Sequence, residues 1–204
     1  MQTLEIKKYG SFKPLGKNKL KKQIILCHTS REVEEYLTSL NFRYNGNFDK
    51  IPNYIVTREG TVLELLPENT YSNFFYLEKV RKNSIIICLE NLGWLNRKPL
   101  TNSYINWKGS IYKGEVHEKK WRDFFFWHPY TEIQLSNTAQ LCSQLSEIFQ
   151  IEKRCTGHNT KFEGIENFVG ITSRSNYDTS FTDLNPSFNF ELFTKYFENE
   201  QFAQ

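Results

Sequence analysis

The sequence predicts an α/β fold in which a mixed central β-sheet is flanked by helices. Two observations support this prediction. Short apolar runs rich in β-branched residues alternate along the chain with segments whose apolar residues recur at helical spacing. Interleaving of this kind is typical of a sheet that is covered by helices. At 204 residues, the chain is long enough for one domain with a sizeable hydrophobic core.

The first strand is predicted at residues 23–27, an apolar run rich in isoleucine. After it, Thr29 and Glu32 have the spacing of a capping box with Thr29 as the N-cap. Residues 33–40 then place their apolar side chains on one helical face. His28 therefore lies where a strand gives way to a helix, and ligand sites of α/β sheets favour this carboxyl edge.

A hairpin is predicted next, with arms at residues 53–58 and 61–66 around Glu59 and Gly60. Residues 84–89 are apolar at every second position and also between them. A strand that is apolar on both faces is typical of the centre of a covered sheet.

The second half of the chain predicts two helices. Thr131 and Gln134 form another capping box at the start of a helix over residues 131–149. A short strand-like stretch follows at 151–155, and a terminal helix is predicted at 189–202, where aromatic residues recur at helical spacing.

Two long stretches, residues 92–130 and 159–182, fit none of these elements. Both exceed the ~12–15 residues expected of a structureless loop, so we predict that they form functional rims. Aromatic side chains stack on flat ligands such as sugar rings. The alternative is that half of the aromatic residues pack as a satellite core.

Composition excludes some classes of function. Hydrophobic content of 39% and charged content of 24% are ordinary for a soluble globular protein, and a net charge of +3 is too small to indicate nucleic acid. No apolar run approaches the ~20 residues of a membrane span. The polar N-terminus lacks the apolar core of a signal peptide, so we expect synthesis in the cytoplasm. We also expect the protein to be a monomer. The cysteines are predicted to be reduced core residues: Cys27, Cys88, Cys142 and Cys155.

Residues 1–22 are rich in lysine, and Gly10, Pro14 and Gly16 interrupt any helix. We interpret this segment as a solvated basic arm, followed by one catalytic domain at 23–204. The alternative is weak electrostatic attachment of the arm to an anionic wall or membrane surface.

Five segments resemble, in the same order, those of the type 2 N-acetylmuramoyl-L-alanine amidases and peptidoglycan recognition proteins. They are residues 24–29, 53–67, 84–91, 131–149 and 183–190. The resemblance implies a Zn²⁺ ion held by His28, His158 and Asp183, with a water in the fourth position. Asn185 is a poorer alternative for the third ligand and Asp178 another, and Asp183 has the alternative role of a turn residue.

The chain departs from the family pattern around the catalytic groups. The family's strand glutamate is Cys88 here, but Glu90 shares its face and is our candidate proton shuttle. Its alternative role is a carboxylate that caps backbone amides. Pro52 stands at the position of the family's tyrosine and Phe181 at that of its lysine. Arg174 is therefore our candidate for stabilising the oxyanion.

The resemblance implies a zinc-dependent amidase that cleaves the amide between N-acetylmuramic acid and L-alanine in peptidoglycan, as a phage endolysin does. Muramyl peptides are the expected partners. The alternatives are a non-catalytic peptidoglycan-binding protein on the same fold and a metal-dependent hydrolase of another substrate. The candidate substrate-binding residues are Trp94, Trp121, Trp127, Asn176 and Tyr177.

Overall fold

The computed structural model describes residues 4–10, 12–99, 101 and 103–199. Six strands form the central sheet, in the order β1 (Ile6–Lys8), β5 (Val62–Glu64), β4 (Tyr54–Val56), β7 (Ser84–Leu89), β3 (Gln23–His28) and β13 (Gly170–Ser173). Neighbouring strands are parallel except β4 and β5, which form the predicted antiparallel hairpin. The predicted mixed sheet is thus confirmed.

Helices cover both faces of this sheet. Strand β3 alternates between them, so that Ile24 and Leu26 pack beneath α3 (Glu132–Phe149) and α4 (Phe190–Asn199). The residues between, Ile25 and Cys27, pack beneath α1 (Val33–Phe42) and α2 (Glu78–Asn83). Every residue of β3 and of its neighbour β7 is buried, which explains why both strands are apolar on both faces.

The two predicted capping boxes have different outcomes. The hydroxyl of Thr131 accepts a hydrogen bond from the Gln134 amide at 3.3 Å, which confirms the N-cap of α3. The capping box at Thr29 is wrong, because α1 begins only at Val33. Ser30 has a positive φ of 57°. Before the helix begins, Arg31 forms an antiparallel bridge with Asn91, which follows β7.

The two stretches predicted as rims contain strands. Residues 92–130 include a second, antiparallel sheet in the order β10 (Ile111–Tyr112), β9 (Ser103–Ile105), β8 (Trp94–Lys98), β12 (Phe124–Trp127) and β11 (His117–Trp121). Residues 159–182 include β13, the edge strand beside β3. By contrast, the strand-like stretch at 151–155 contributes a single bridge, Cys155 to Ile171. The predicted end of the terminal helix, residues 200–202, lies outside the described residues.

The basic N-terminal segment differs from a freely solvated arm. Its strand β1 pairs with β5, and β2 (Gly16–Lys17) pairs with β6 (Thr70–Tyr71). Lys21 is buried, and its ammonium group donates to the backbone carbonyls of Thr70, Lys82 and Ser84 at 2.9, 3.0 and 3.0 Å. Three hydrogen bonds compensate for the cost of burying this cation. The division of the chain at residue 22 stays a prediction.

All four cysteines are free thiols, as predicted, and Cys27, Cys88 and Cys142 are buried. Within the part of the chain that the structure describes, none of the helices combines the length and hydropathy needed to cross a bilayer.

We expect Lys21→Met to destabilise the fold, because the carbonyl groups of Thr70, Lys82 and Ser84 each lose a hydrogen bond from a buried ammonium group. The expected loss in the free energy of unfolding is about 1–3 kcal/mol, the usual cost of unsatisfied buried polar groups. Urea denaturation measures it, with the neighbouring exposed Lys22→Met as the control. Equal midpoints for both variants would contradict the role given to Lys21.

Candidate active site at the carboxyl edge of the sheet

Polar side chains gather where β3 and β7 end. His28 is the last residue of β3, and its side chain is 4% exposed. The imidazole lies directly against Gly93, which has a φ of +79°. A Cβ atom at this position would come within 2.7 Å of the His28 Cε1 atom. Glycine is therefore required here both by the backbone conformation and by the close approach of the ring.

His28 is a neutral imidazole with a free nitrogen. Burial lowers its pKa to about 4, although the carboxylate of Asp183 opposes this shift. The ring is hydrogen-bonded to the backbone of Asn91. Its Nδ1 atom is buried and has no hydrogen-bond partner among the described residues. A neutral histidine offers one acceptor nitrogen, and here that acceptor is unused.

Asp183 is completely buried beside His28. Its Oδ2 atom accepts hydrogen bonds from Nε of Arg174 at 2.8 Å and from the backbone N–H of His28 at 3.3 Å. The other oxygen, Oδ1, is buried without a partner in the described part of the chain. His28, Asp183 and Arg174 thus meet as the sequence predicts, but Arg174 is paired with the carboxylate.

His158, the second predicted zinc ligand, does not form a metal-binding group with His28 and Asp183. Its ring is exposed, and Nδ1 accepts a hydrogen bond from the Thr160 amide at 3.1 Å. It lines a small surface cavity with Trp121 and Pro186. His28 lines a different cavity of about 350 Å³.

The residues present do not fit a three-ligand zinc site in this arrangement. His28 Nδ1 and Asp183 Oδ1 are donor atoms that a metal could use, but His158 does not join them. Over the described ranges, no group of three or more His, Cys, Asp or Glu side chains is arranged to hold a metal ion. The predicted ligand set is therefore assembled only at His28 and Asp183.

Glu90 has a structural role at the end of β7. Its Oε1 atom accepts from the Val33 amide at 2.8 Å and Oε2 accepts from the Arg58 amide at 3.0 Å. It thereby satisfies the first turn of α1, the task that the sequence assigned to Thr29. The alternative of a carboxylate that caps backbone amides is the one the geometry favours. The carboxylate also lines a cavity of about 550 Å³, so the proton-shuttle role stays a prediction.

Sequence reasoning missed His128, which lies in the same cavity. Its Nδ1 atom accepts from the Leu92 amide at 3.1 Å, and its carbonyl oxygen accepts from Asn91 Nδ2 at 2.9 Å. Burial, reinforced by the charge of Arg58, lowers the pKa of His128 to about 3. Its position directly after an aromatic run was the one available signal.

The alternatives for the third ligand are also placed. Asn185 is completely buried, and its amide donates to Asn91 Oδ1 at 2.9 Å and to the His128 carbonyl at 3.2 Å. Its role is therefore structural. Asp178 is exposed and accepts from the Ser180 amide at 2.8 Å, so it belongs to a surface turn.

Three of the predicted substrate-binding residues are structural. Trp127 has no exposed surface and donates from Nε1 to the Lys119 carbonyl at 2.8 Å, which places it in the satellite core. Asn176 is completely buried, accepts from the Thr172 hydroxyl at 2.8 Å, and donates to the carbonyls of His158 and Thr160. Both predictions are wrong, because neither side chain reaches solvent.

The third, Tyr177, is half-buried, donates to the Gln23 side chain and packs on Phe75 with ring centroids 5.0 Å apart. It stabilises the contact between β3 and the core under α2. Trp94 and Trp121 are half-buried and line the cavities beside His28 and His158, respectively. Their role in binding stays a prediction.

Comparison with known proteins places the chain among amidases in sequence pattern and fold. The sequence model described as N-acetylmuramoyl-L-alanine amidase, Amidase_2, matches residues 18–167. No curated protein has a significantly similar sequence.

Several solved structures are similar in fold, among them the following three. The Staphylococcus aureus hydrolase AmiA in complex with its ligand has a TM-score of 0.58 at 8% identity, over 98% of this chain and 87% of that chain. An AmpD structure has a TM-score of 0.54 at 14% identity, over 95% of both chains. The endolysine N-acetylmuramoyl-L-alanine amidase LysCS from Clostridium intestinale URNW has a TM-score of 0.51 at 12% identity, over 94% and 93%. At these identities the similarity shows the fold alone.

We expect Glu90→Gln to lower the free energy of unfolding. The amide group of glutamine would turn a donor toward one of the two backbone N–H groups, leaving it unsatisfied at a cost of about 1–3 kcal/mol. Chemical denaturation measures the change, and Glu34→Gln, an exposed residue of the same cavity, is the control. An unchanged stability together with lost activity would instead favour the proton-shuttle role.

The variant Trp127→Ala is expected to lose about 3–5 kcal/mol of stability, as large aromatic side chains do when removed from a core. The half-buried Trp121→Ala should lose less. Thermal and urea unfolding of the two variants give the comparison. A Trp127→Ala variant as stable as the wild-type protein would contradict the placement of Trp127 in the core.

Proposed function

This chain belongs to the N-acetylmuramoyl-L-alanine amidase family, and we propose that it hydrolyses the amide between N-acetylmuramic acid and L-alanine in peptidoglycan. The observation that carries the proposal is the polar cluster of His28, Asp183 and Arg174 at the carboxyl edge of the family's sheet. An unused acceptor atom beside a fixed and largely buried charge is typical of catalytic sites rather than of ordinary cores.

Each residue has a task that its surroundings support. Arg174 provides a fixed positive charge, and such a charge stabilises the negative oxygen that develops when a carbonyl is attacked. The free Nδ1 atom of His28 can accept a proton or a hydrogen bond. Asp183 holds Arg174 and the end of β3 in place. Trp94 lies beside the same cavity as His28, where a sugar ring can stack on it.

Zinc is the cofactor that the family resemblance implies. A bound zinc ion would polarise the scissile carbonyl and lower the pKa of a water molecule. The described side chains bring two donors together rather than three, so no step of the proposed reaction depends on a metal. The role of a phage endolysin that acts on the host cell wall is likewise a proposal, and it rests on the resemblance.

A second candidate is a non-catalytic peptidoglycan-binding protein. Two observations favour it: both carboxylate oxygens of Glu90 are taken by backbone amides, and Asp183 is paired with Arg174. Groups that are committed to structural bonds are less available for proton transfer.

Release of L-alanine amino groups from purified peptidoglycan, without new reducing sugar ends, tests the two candidates. Wild-type protein is expected to release them. His28→Ala should lower the rate by about 100-fold or more, the usual effect of losing a positioned group. His117→Ala, a histidine of the second sheet, is the control.

Sedimentation with insoluble peptidoglycan is measured on the same samples. Binding by wild type without any release would favour the non-catalytic candidate. If the protein neither binds peptidoglycan nor releases amino groups from it, both candidate functions are contradicted.

A further inference from the structure

We propose that the guanidinium group of Arg174, rather than a zinc ion, is the resident cation that neutralises Asp183 in this site. The proposal concerns what neutralises the buried carboxylate, and it holds whether the protein cleaves peptidoglycan or only binds it. It follows from the disagreement between the family's implied metal and the geometry of the chain's own residues.

Asp183 is completely buried. A carboxylate with no exposed surface must be paired, because an isolated charge in a protein interior is strongly unfavourable. Arg174 supplies the opposite charge at 2.8 Å, and the His28 amide adds a hydrogen bond to the same oxygen. One carboxylate is thus balanced by one guanidinium.

The guanidinium group of Arg174 is held in place by its surroundings. Its central carbon lies 4.2 Å from the ring centre of Phe181 and 5.7 Å from that of Phe74. Aromatic faces attract cations, and more strongly when water is excluded. The Arg174 side chain is only 19% exposed. Withdrawing it would give up these contacts and leave Asp183 unpaired.

The backbone that carries Arg174 is also fixed. The residue follows β13, and the next amide, that of Ser175, donates to the Asp183 carbonyl at 3.0 Å. The Asn176 side chain accepts from the Ser173 amide at 2.9 Å. Because hydrogen bonds tie both sides of the arginine to the site, its position is set by the fold rather than by a flexible surface loop.

A zinc ion on Asp183 would be disfavoured for two reasons. A divalent ion on Asp183 would lie close to the guanidinium group. The site is buried, so water screens the repulsion between the two positive charges only weakly. The ion would also have only His28 as a second protein ligand, since His158 lines another cavity. Stable zinc sites need three or four protein ligands. Arg174, rather than zinc, is therefore the cation that balances Asp183.

Metal content and thermal stability of the wild-type protein test the proposal directly. After incubation with zinc chloride and gel filtration, we expect far less than one zinc per chain by inductively coupled plasma mass spectrometry. The melting temperature should be the same with zinc chloride and with EDTA. One zinc per chain, or a melting temperature that EDTA lowers, would overturn the proposal.

Charge-neutralising variants give a second, independent measurement. Arg174→Gln and Asp183→Asn should each lower the urea midpoint, since each leaves one unpaired buried partner. The double variant should recover much of the loss, because its two neutral amides can pair. Arg154→Gln, an exposed arginine over Phe168, is the matched control with little effect.

An Arg174→Gln midpoint equal to that of the control, or strictly additive losses in the double variant, would contradict the proposal. If Arg174→Gln does not fold, Arg174→Lys keeps the charge and should fold with an intermediate midpoint. None of these measurements needs a substrate, so their outcome is separate from that of the peptidoglycan assay.

Discussion

The structure depends on how the buried strands of the sheet end. Strands β3, β4 and β7 are buried on both faces, so the backbone groups at their carboxyl ends must be satisfied within the protein. Glu90 accepts from the first amide of α1 and from an amide of the β4–β5 turn. Gln134 of α3 donates to the carbonyls of Val56 and Glu90 at 3.0 Å each. Glu90, a candidate site residue, is therefore also a residue that joins a helix to the sheet.

This double role shapes the electrostatics of the site. The two histidines nearest the strand ends, His28 and His128, have pKa values of about 4 and 3 because burial disfavours their charged forms. Both are neutral at physiological pH. The charges that remain beside His28 belong to Asp183 and Arg174, which compensate each other. The site thus combines neutral acceptors with one internal ion pair.

The sequence was most informative where a pattern repeats over several residues. The strand that ends at His28, the hairpin, the central strand at Ser84–Leu89 and the helix at Glu132–Phe149 were all predicted from such patterns. The second sheet was missed because its strands are short and mostly polar outside their aromatic residues, as in His117–Trp121. Short amphipathic strands are stabilised by tertiary packing, which a periodic pattern does not reveal.

For the site, residue types could be predicted but distances could not. The order of segments placed His28 and Asp183 together correctly, because both precede or follow recognisable elements. It could not show that Arg174 would turn toward Asp183, or that β13 lies within residues 159–182, which were predicted as a rim. Nor could it separate Trp127 from Trp121, since burial depends on which strands pair across the second sheet.

Gly93 lies between the His28 ring at the end of β3 and the first strand of the second sheet, β8. It touches the His28 ring, its amide donates to Asn91 Oδ1 at 2.8 Å, and its carbonyl accepts from the His128 amide at 3.0 Å. Strand β8 of the second sheet begins at the next residue. The second sheet thus begins one residue after the glycine that lies against the His28 imidazole. A side chain at position 93 would therefore displace either the His28 ring or the start of β8.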